Sequence, residues 1–169
     1  MIKLEAGYVL AGTYRLVRPL GKGGEGSVWL ALHLRTGQFW AVKIMARQSG
    51  GQERHELEMM RRLCHPSLPR IIDVGEDGPW VFLVMEYIRG RSLEELMKES
   101  GCLSLEQVLD VGMQIGEVLG YLHTRPVPVF HLDVKPSNVI LRGDGTLVLV
   151  DFGAARKAAG EPEKHGRRG

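Results

Sequence analysis

His131-Leu132-Asp133-Val134-Lys135-Pro136-Ser137-Asn138 places an imidazole, a carboxylate, an ammonium and a carboxamide within one short segment. Two plain readings compete with a catalytic one. The first is a chance polar loop. The second is a metal site built on His131 and Asp133, and no further ligand cluster accompanies those two residues. Downstream, residues 139–141 and 147–150 read as short strands around the turn Gly143-Asp144-Gly145. Asp151-Phe152-Gly153 follows directly, 18 residues after Asp133.

Upstream, Gly21-Lys22-Gly23-Gly24-Glu25-Gly26-Ser27-Val28 fits G-x-G-x-x-G-x-V. Taken alone it is equally a glycine turn in a hairpin. In a dinucleotide-binding fold this motif opens a helix. Here Val28-Trp29-Leu30-Ala31-Leu32 continues as a strand. Glycines at such a turn let the backbone approach a ligand with no side chain in the way. Ala41-Val42-Lys43 lies 17 residues after Gly26. A lone strand lysine is ordinarily a solvated edge residue, but Trp40, Val42 and Ile44 flank this one, so its strand reads as buried. A buried ammonium needs a partner. Glu56, nine residues before His65-Pro66, is the preferred one over Glu53 and Glu58.

The rest of the chain supplies the elements between these segments. Strands are expected over residues 14–20, 28–34 and 39–45, with a turn at Thr36-Gly37 and a linker at Ser49-Gly50-Gly51. Leu57, Met60, Leu63 and Cys64 recur at helical spacing over 52–64, and Pro66 ends that helix. Residues 71–74 and 80–87 read as a hairpin around Glu76-Asp77-Gly78-Pro79. After the connector Arg89-Gly90-Arg91, Ser92 caps a short helix through Lys98 whose first turn carries Glu94 and Glu95. Ser104 caps a longer helix to His123 with a broad apolar face. Arg125-Pro126-Val127-Pro128 stops it, and residues 154–169, polar and basic, read as a loop.

Bulk composition agrees with a globular chain. Of 169 residues, 44% are hydrophobic and 25% charged, and the formal net charge of +2 argues against nucleic acid or an anionic membrane as the main partner. Cys64 and Cys102 show no ligand spacing, which favours a reducing, cytoplasmic setting over a disulfide framework. The N-terminus has no signal-peptide pattern and no run approaches a membrane span.

Taken together, the four segments resemble the protein kinase family. The glycine flap lies between strands, and the loop H-x-D-x-K-P-x-N and the D-F-G tripeptide follow in the family's order. Gly-Thr-Tyr-Arg-Leu at 12–16 and Asp-Phe-Gly-Ala-Ala-Arg at 151–156 resemble the bacterial members of the eukaryotic-type serine/threonine kinases. The resemblance implies an α+β, bilobal fold: a β-rich N-lobe over residues 1–86, a hinge at 87–90 and a partial helical C-lobe over 91–169. It implies ATP and Mg²⁺ as cofactors and a protein with a Ser/Thr acceptor as substrate. Lys43 would contact the α/β-phosphates and pair with Glu56. Asp133 would be the base, and Lys135 would reach the γ-phosphate. Asn138 and Asp151 would hold Mg²⁺. Gly21, Gly23 and Gly26 would cover the phosphates. Leu20, Val28, Ala41 and Ile140 would sandwich the adenine with Met85 behind it, and the backbone of Glu86 and Ile88 would bond its edge.

Lys135-Pro136 favours protein serine/threonine kinases over tyrosine kinases and small-molecule kinases. Two departures stand out. Leu132 replaces the usual arginine of H-R-D, and the sequence ends at Gly169 inside the activation loop, before any A-P-E segment. The alternative expectation is therefore a truncated, catalytically incompetent fragment that binds nucleotide or a partner. In that case the 104–123 helix would show apolar residues without cover.

Overall fold

The computed structural model describes residues 4–23, 26–47, 57, 60–152 and 155–157. Six antiparallel strands form the upper sheet: β1 (Val9–Leu10), β2 (Tyr14–Gly23), β3 (Gly26–His33), β4 (Phe39–Ala46), β5 (Ile71–Asp77) and β6 (Trp80–Glu86), in spatial order β1-β2-β3-β4-β6-β5. The alternation along β4 and β6 divides two cores. Val42, Ile44, Phe82 and Val84 pack with Leu10, Tyr14, Leu16 and Trp29 on one face. Ala41, Met45, Val81, Leu83 and Met85 pack on the other. This period of two is what a sheet covered on both faces requires. Side chains stitch the sheet's two edges together. The Tyr8 and Tyr14 hydroxyls donate to Asp77 and Asp73 of β5, and the Ala11 amide donates to Asp77. Burial, with the Asp73 charge beside it, pushes the Tyr14 hydroxyl up to about 12.

The lower half begins with β7 (Gly90–Ser92) and two helices, α1 (Leu93–Ser100) and α2 (Leu105–His123). Both helices open with a capping box, Ser92 with Glu95 and Ser104 with Gln107. Each such cap is worth about 1 kcal/mol. Then follow β8 (Val129–Phe130), a 3₁₀ turn at Pro136–Asn138, β9 (Val139–Arg142), β10 (Leu147–Leu149) and β11 (Arg156–Lys157). Sheets β10-β9-β7 and β11-β8 complete it. The Gln114 side chain fastens α2 to the β9–β10 hairpin, accepting from Leu147 N–H and donating to the Gly145 carbonyl. Leu93, Val118, Leu122, Val139, Leu147, Leu149 and Phe152 join the lower face of the upper sheet in one continuous core.

Several expectations need correction. The first strand does not stop at Leu20. It runs through the glycine cluster to Gly23, which pairs with Gly26, and takes up the extra residues in irregularities between Leu16 and Arg18 and between Pro19 and Gly21. Residues 154–169 are not wholly loop, because Arg156 and Lys157 pair with Phe130 and Val129. The connector at 89–91 contains a strand, with Gly90 paired to Arg142. Two- and three-residue strands carry too little periodicity to be read locally. Of the 52–64 helix, Leu57 and Met60 are helical and buried, but residues 61–64 are turn and irregular chain, so the helix does not extend to Cys64 as expected, and Glu56 lies outside the described residues. The apolar α2 face matches expectation: Leu105, Val108, Leu109 and Met113 are exposed. No described helix is long and apolar enough to cross a membrane.

Candidate active site

Lys43 lies at the middle of β4, opposite Val28 of β3 and Leu83 of β6. It shares the lower face with Ala41 and Met45, so its stem runs over the core and only 6% of the residue is exposed. Its Nζ reaches Asp151 Oδ1 at 3.4 Å. Asp151 follows β10 with a left-handed φ of 62°, and Leu132 has φ 60°. A non-glycine residue held there costs about 1–2 kcal/mol, and such strain concentrates at functional sites. Leu132 and Asp151 each lie next to the residues through which the two loops meet, His131 with Val150 and Phe152.

The loop from His131 to Asn138 is held from beneath. His131 is buried, edge-on to Phe152 with ring centres 4.7 Å apart. Its Nδ1 accepts from the Asp133 amide at 3.3 Å, so its Nε2–H donates to the Val150 carbonyl at 3.2 Å. Burial holds its pKa below the ordinary histidine range. The imidazole is thus a neutral strut between the two loops. The Val150 amide in turn donates to the Asn138 carbonyl at 2.8 Å, and the Leu149 amide to the Ser67 carbonyl at 2.9 Å.

Asp133 is the centre of the polar cluster. Its Oδ2 accepts from Lys135 Nζ at 2.8 Å and from Asn138 Nδ2 at 2.9 Å. Asn138 Nδ2 also donates to the Asp133 carbonyl at 2.9 Å. The Lys135 hydrogen bond, then that of Asn138, holds the Asp133 carboxyl below its usual range, and the same contact raises Lys135. Both donors take Oδ2, and among the described residues no donor reaches Oδ1. Asn138 is buried, and its donor nitrogen is committed, leaving its amide oxygen as the free polar atom. Together with the Asp151 carboxylate this is a hard-oxygen donor set, which suits Mg²⁺ better than a softer metal.

Of the remaining expected residues, Ala41 and Met85 are paired across β4 and β6 and buried in the lower core, with Val28 packed against it. Ile88 is buried just beyond β6. Leu20, unpaired at the strand irregularity, is 37% exposed, and Ile140 is half-buried on β9; neither belongs to that core. Gly21, Gly23 and Gly26 form the end of the β2–β3 hairpin. Gly26 has φ 150°, and a Cβ there would collide with the Ile44 carbonyl, while one at Gly21 would meet open space. The cluster that the sequence assigned to this site lacked two supports, His131 as a strut and Arg142 as the partner of Glu86 (Nη2 to Oε1, 2.8 Å). The period-two alternation that puts Arg142 on the Ile140 face of β9 was the available signal for the second.

The sequence matches the family described as "Protein kinase domain" over residues 14–169. It is 34% identical over 167 residues to the serine/threonine-protein kinase PknA of Mycobacterium tuberculosis, covering 92% of this chain and 38% of PknA. It is 30% identical over 156 residues to a probable serine/threonine-protein kinase of Clostridium acetobutylicum, covering 89% of this chain and 23% of that protein. With the serine/threonine-protein kinase pkn2 of Myxococcus xanthus it shares 35% identity over 158 residues, 88% of this chain and 19% of the relative. The chain therefore spans well under half the length of these relatives. With the glycine hairpin, the buried strand lysine and the Asp133–Lys135–Asn138 cluster all in place, the chain belongs to the protein kinase domain family.

Proposed function

We propose that the protein transfers the γ-phosphoryl group of ATP to serine or threonine hydroxyls of a protein substrate. The observation that carries this reading is Asp133: one carboxylate oxygen is engaged by Lys135 and Asn138, while among the described residues no donor reaches the other. A hydroxyl at Oδ1 would be oriented for attack and would lose its proton there, while Lys135 offsets charge on the phosphoryl group in flight. Lys43 would bind the α/β-phosphates, and its position one hydrogen-bond length from Asp151 supports that role. Asn138 and Asp151 would hold Mg²⁺, which when bound would supply positive charge against the phosphates. Val28, Ala41, Met85 and Ile140, with Leu20, would enclose the base, and the main chain of Glu86 and Ile88 would bond its edge. The lobes would divide at residues 87–90, just after β6 ends at Glu86. The exposed, unpaired Cys64 and Cys102 fit the reducing cytoplasm, where ATP is supplied.

The test is Mg·ATP titration by calorimetry, followed by γ-phosphate transfer to a basic protein rich in serine and threonine. Saturable binding with phosphoserine or phosphothreonine formation supports the reading. A folded protein with no Mg·ATP response overturns it.

A further inference from the structure

We propose that Arg142 is a positioning residue that grips both ends of the connector between the lobes and thereby sets the seat of the nucleotide base. Glu86 is the last residue of β6, and its Oε1 accepts from Arg142 Nη2 at 2.8 Å, both side chains being only 28% exposed. The rest of Glu86 is held as well: its amide donates to the Arg70 carbonyl at 2.8 Å, and its Oε2 lies 3.4 Å from the Arg70 amide. At the other end of the connector, Gly90 pairs in register with Arg142 itself. Residues 87–89 therefore form an arch closed by a single residue, its side chain on Glu86 and its strand position on Gly90.

Two further observations show that this closure is tight. A Cβ at Gly90 would collide with the Leu141 carbonyl and crowd the Ile140 side chain, so glycine is what lets β7 approach β9 there. Arg142 Nε is buried without a hydrogen-bond partner. An orphaned buried donor is costly, and the guanidinium accepts that position while its Nη2 reaches the Glu86 carboxylate. Arg142 also shares a face of β9 with Ile140. One strand thus carries an expected floor of the base site and the latch of its edge. The nucleotide consequence rests on the phosphotransfer reading above, because it is there that the main chain of Glu86 and Ile88 meets the base. No hydrogen bond or ion pair joins Lys43 or Asp133 to the Glu86–Arg142 pair, so the pair acts on base binding rather than on the transfer step.

The experiment uses the full chain and two readouts. The first is amide hydrogen exchange without nucleotide. Arg142→Met and Glu86→Gln are each expected to speed exchange at residues 87–89 by about fivefold, the scale of one half-buried ion pair. The double variant is expected to be no faster than the quicker single, with Val118 and Leu122 amides unchanged. Arg142→Lys, which keeps the charge and discards the orphaned Nε, is expected to restore most of the protection. Unchanged exchange at 87–89 in Arg142→Met, or fully additive single effects, overturns the clamp. Should Arg142→Met loosen α2 as well, Glu86→Gln and Arg142→Lys decide in the same way. The second readout is calorimetry with adenosine and with Mg·ATP: Arg142→Met is expected to weaken both by the same factor, and a loss confined to Mg·ATP overturns the assignment to the base. Absence of Mg·ATP binding by the unmodified protein would instead defeat the phosphotransfer reading, leaving the exchange result to judge the clamp.

Discussion

Lys43 Nζ stands 3.4 Å from Asp151 Oδ1, although the two residues are 108 positions apart in the chain. Their side chains differ in exposure, 8% for the lysine and 45% for the aspartate. A buried cation here reaches out to a carboxylate at the edge of solvent. The contact closes the upper sheet onto the strained turn after β10. Lys43→Met fills the same apolar slot without the charge, so the fold is expected to persist. Mg·ATP affinity is expected to fall by about tenfold or more, on the scale of one charge-assisted phosphate contact. Calorimetry checks this, and equal affinity in the variant would remove Lys43 from the phosphate site.

Asp133→Asn retains size and polarity but cannot accept the hydroxyl proton. In the phosphotransfer assay kcat is expected to fall by about 10²–10⁴-fold with nucleotide affinity nearly unchanged. Rapid-quench measurement of the transfer step separates the two. Undiminished turnover would exclude Asp133 as the base.

His131 gives the stability a pH dependence of known sign. Burial depresses its folded pKa below the unfolded value of about 6.5. The unfolded chain therefore binds the proton more readily. The stabilisation is fully present above about pH 6.5 and is lost as pH falls toward and through the folded pKa. Thermal midpoints measured from pH 8 to about pH 5 are expected to drop over that window. His131→Asn is expected to be less stable at pH 8 and to show a flatter profile. A profile as steep as that of the unmodified protein would assign the effect elsewhere.

Gly26 and Gly21 separate two uses of glycine in one motif. Gly26→Ala places a methyl against the Ile44 carbonyl at φ 150° and is expected to destabilise the β2–β3 hairpin by about 1–3 kcal/mol. Gly21→Ala meets open space and is expected to leave the apo protein's stability within about 0.5 kcal/mol. Chemical denaturation of the two variants checks the contrast.

Leu132 is 67% exposed where the family's usual residue is an arginine that pairs with a loop phosphate. No Ser, Thr or Tyr occurs from Phe152 to Gly169. An alkyl side chain cannot pair with a phosphate. The active conformation is therefore expected not to depend on phosphorylation within residues 152–169, which phosphatase treatment with mapping of the phosphorylated sites checks. A loss of activity traced to a phosphorylated residue read by a nearby arginine would contradict this.

Local pattern was enough to show which chemical groups the site contains and on which kinds of element they sit. Lys43 was legible because apolar neighbours on both sides put its strand in the core, and Asp133, Lys135 and Asn138 because their spacing lies within one loop. Ser92 and Ser104 announced their helices as N-cap residues, a pattern that needs only local chain, and the structure adds the reciprocal bonds of Glu95 and Gln107. How these pieces meet rests on long-range packing. The Lys43–Asp151 contact, the His131 strut to Val150, the β8–β11 pair and the Glu86–Arg142 latch each join residues distant in sequence. Such contacts depend on where the close-packed core brings the chain segments together, and no local pattern records that. The left-handed turns at Leu132 and Asp151 belong to the same class, since neither residue prefers that conformation and only the surrounding packing holds it.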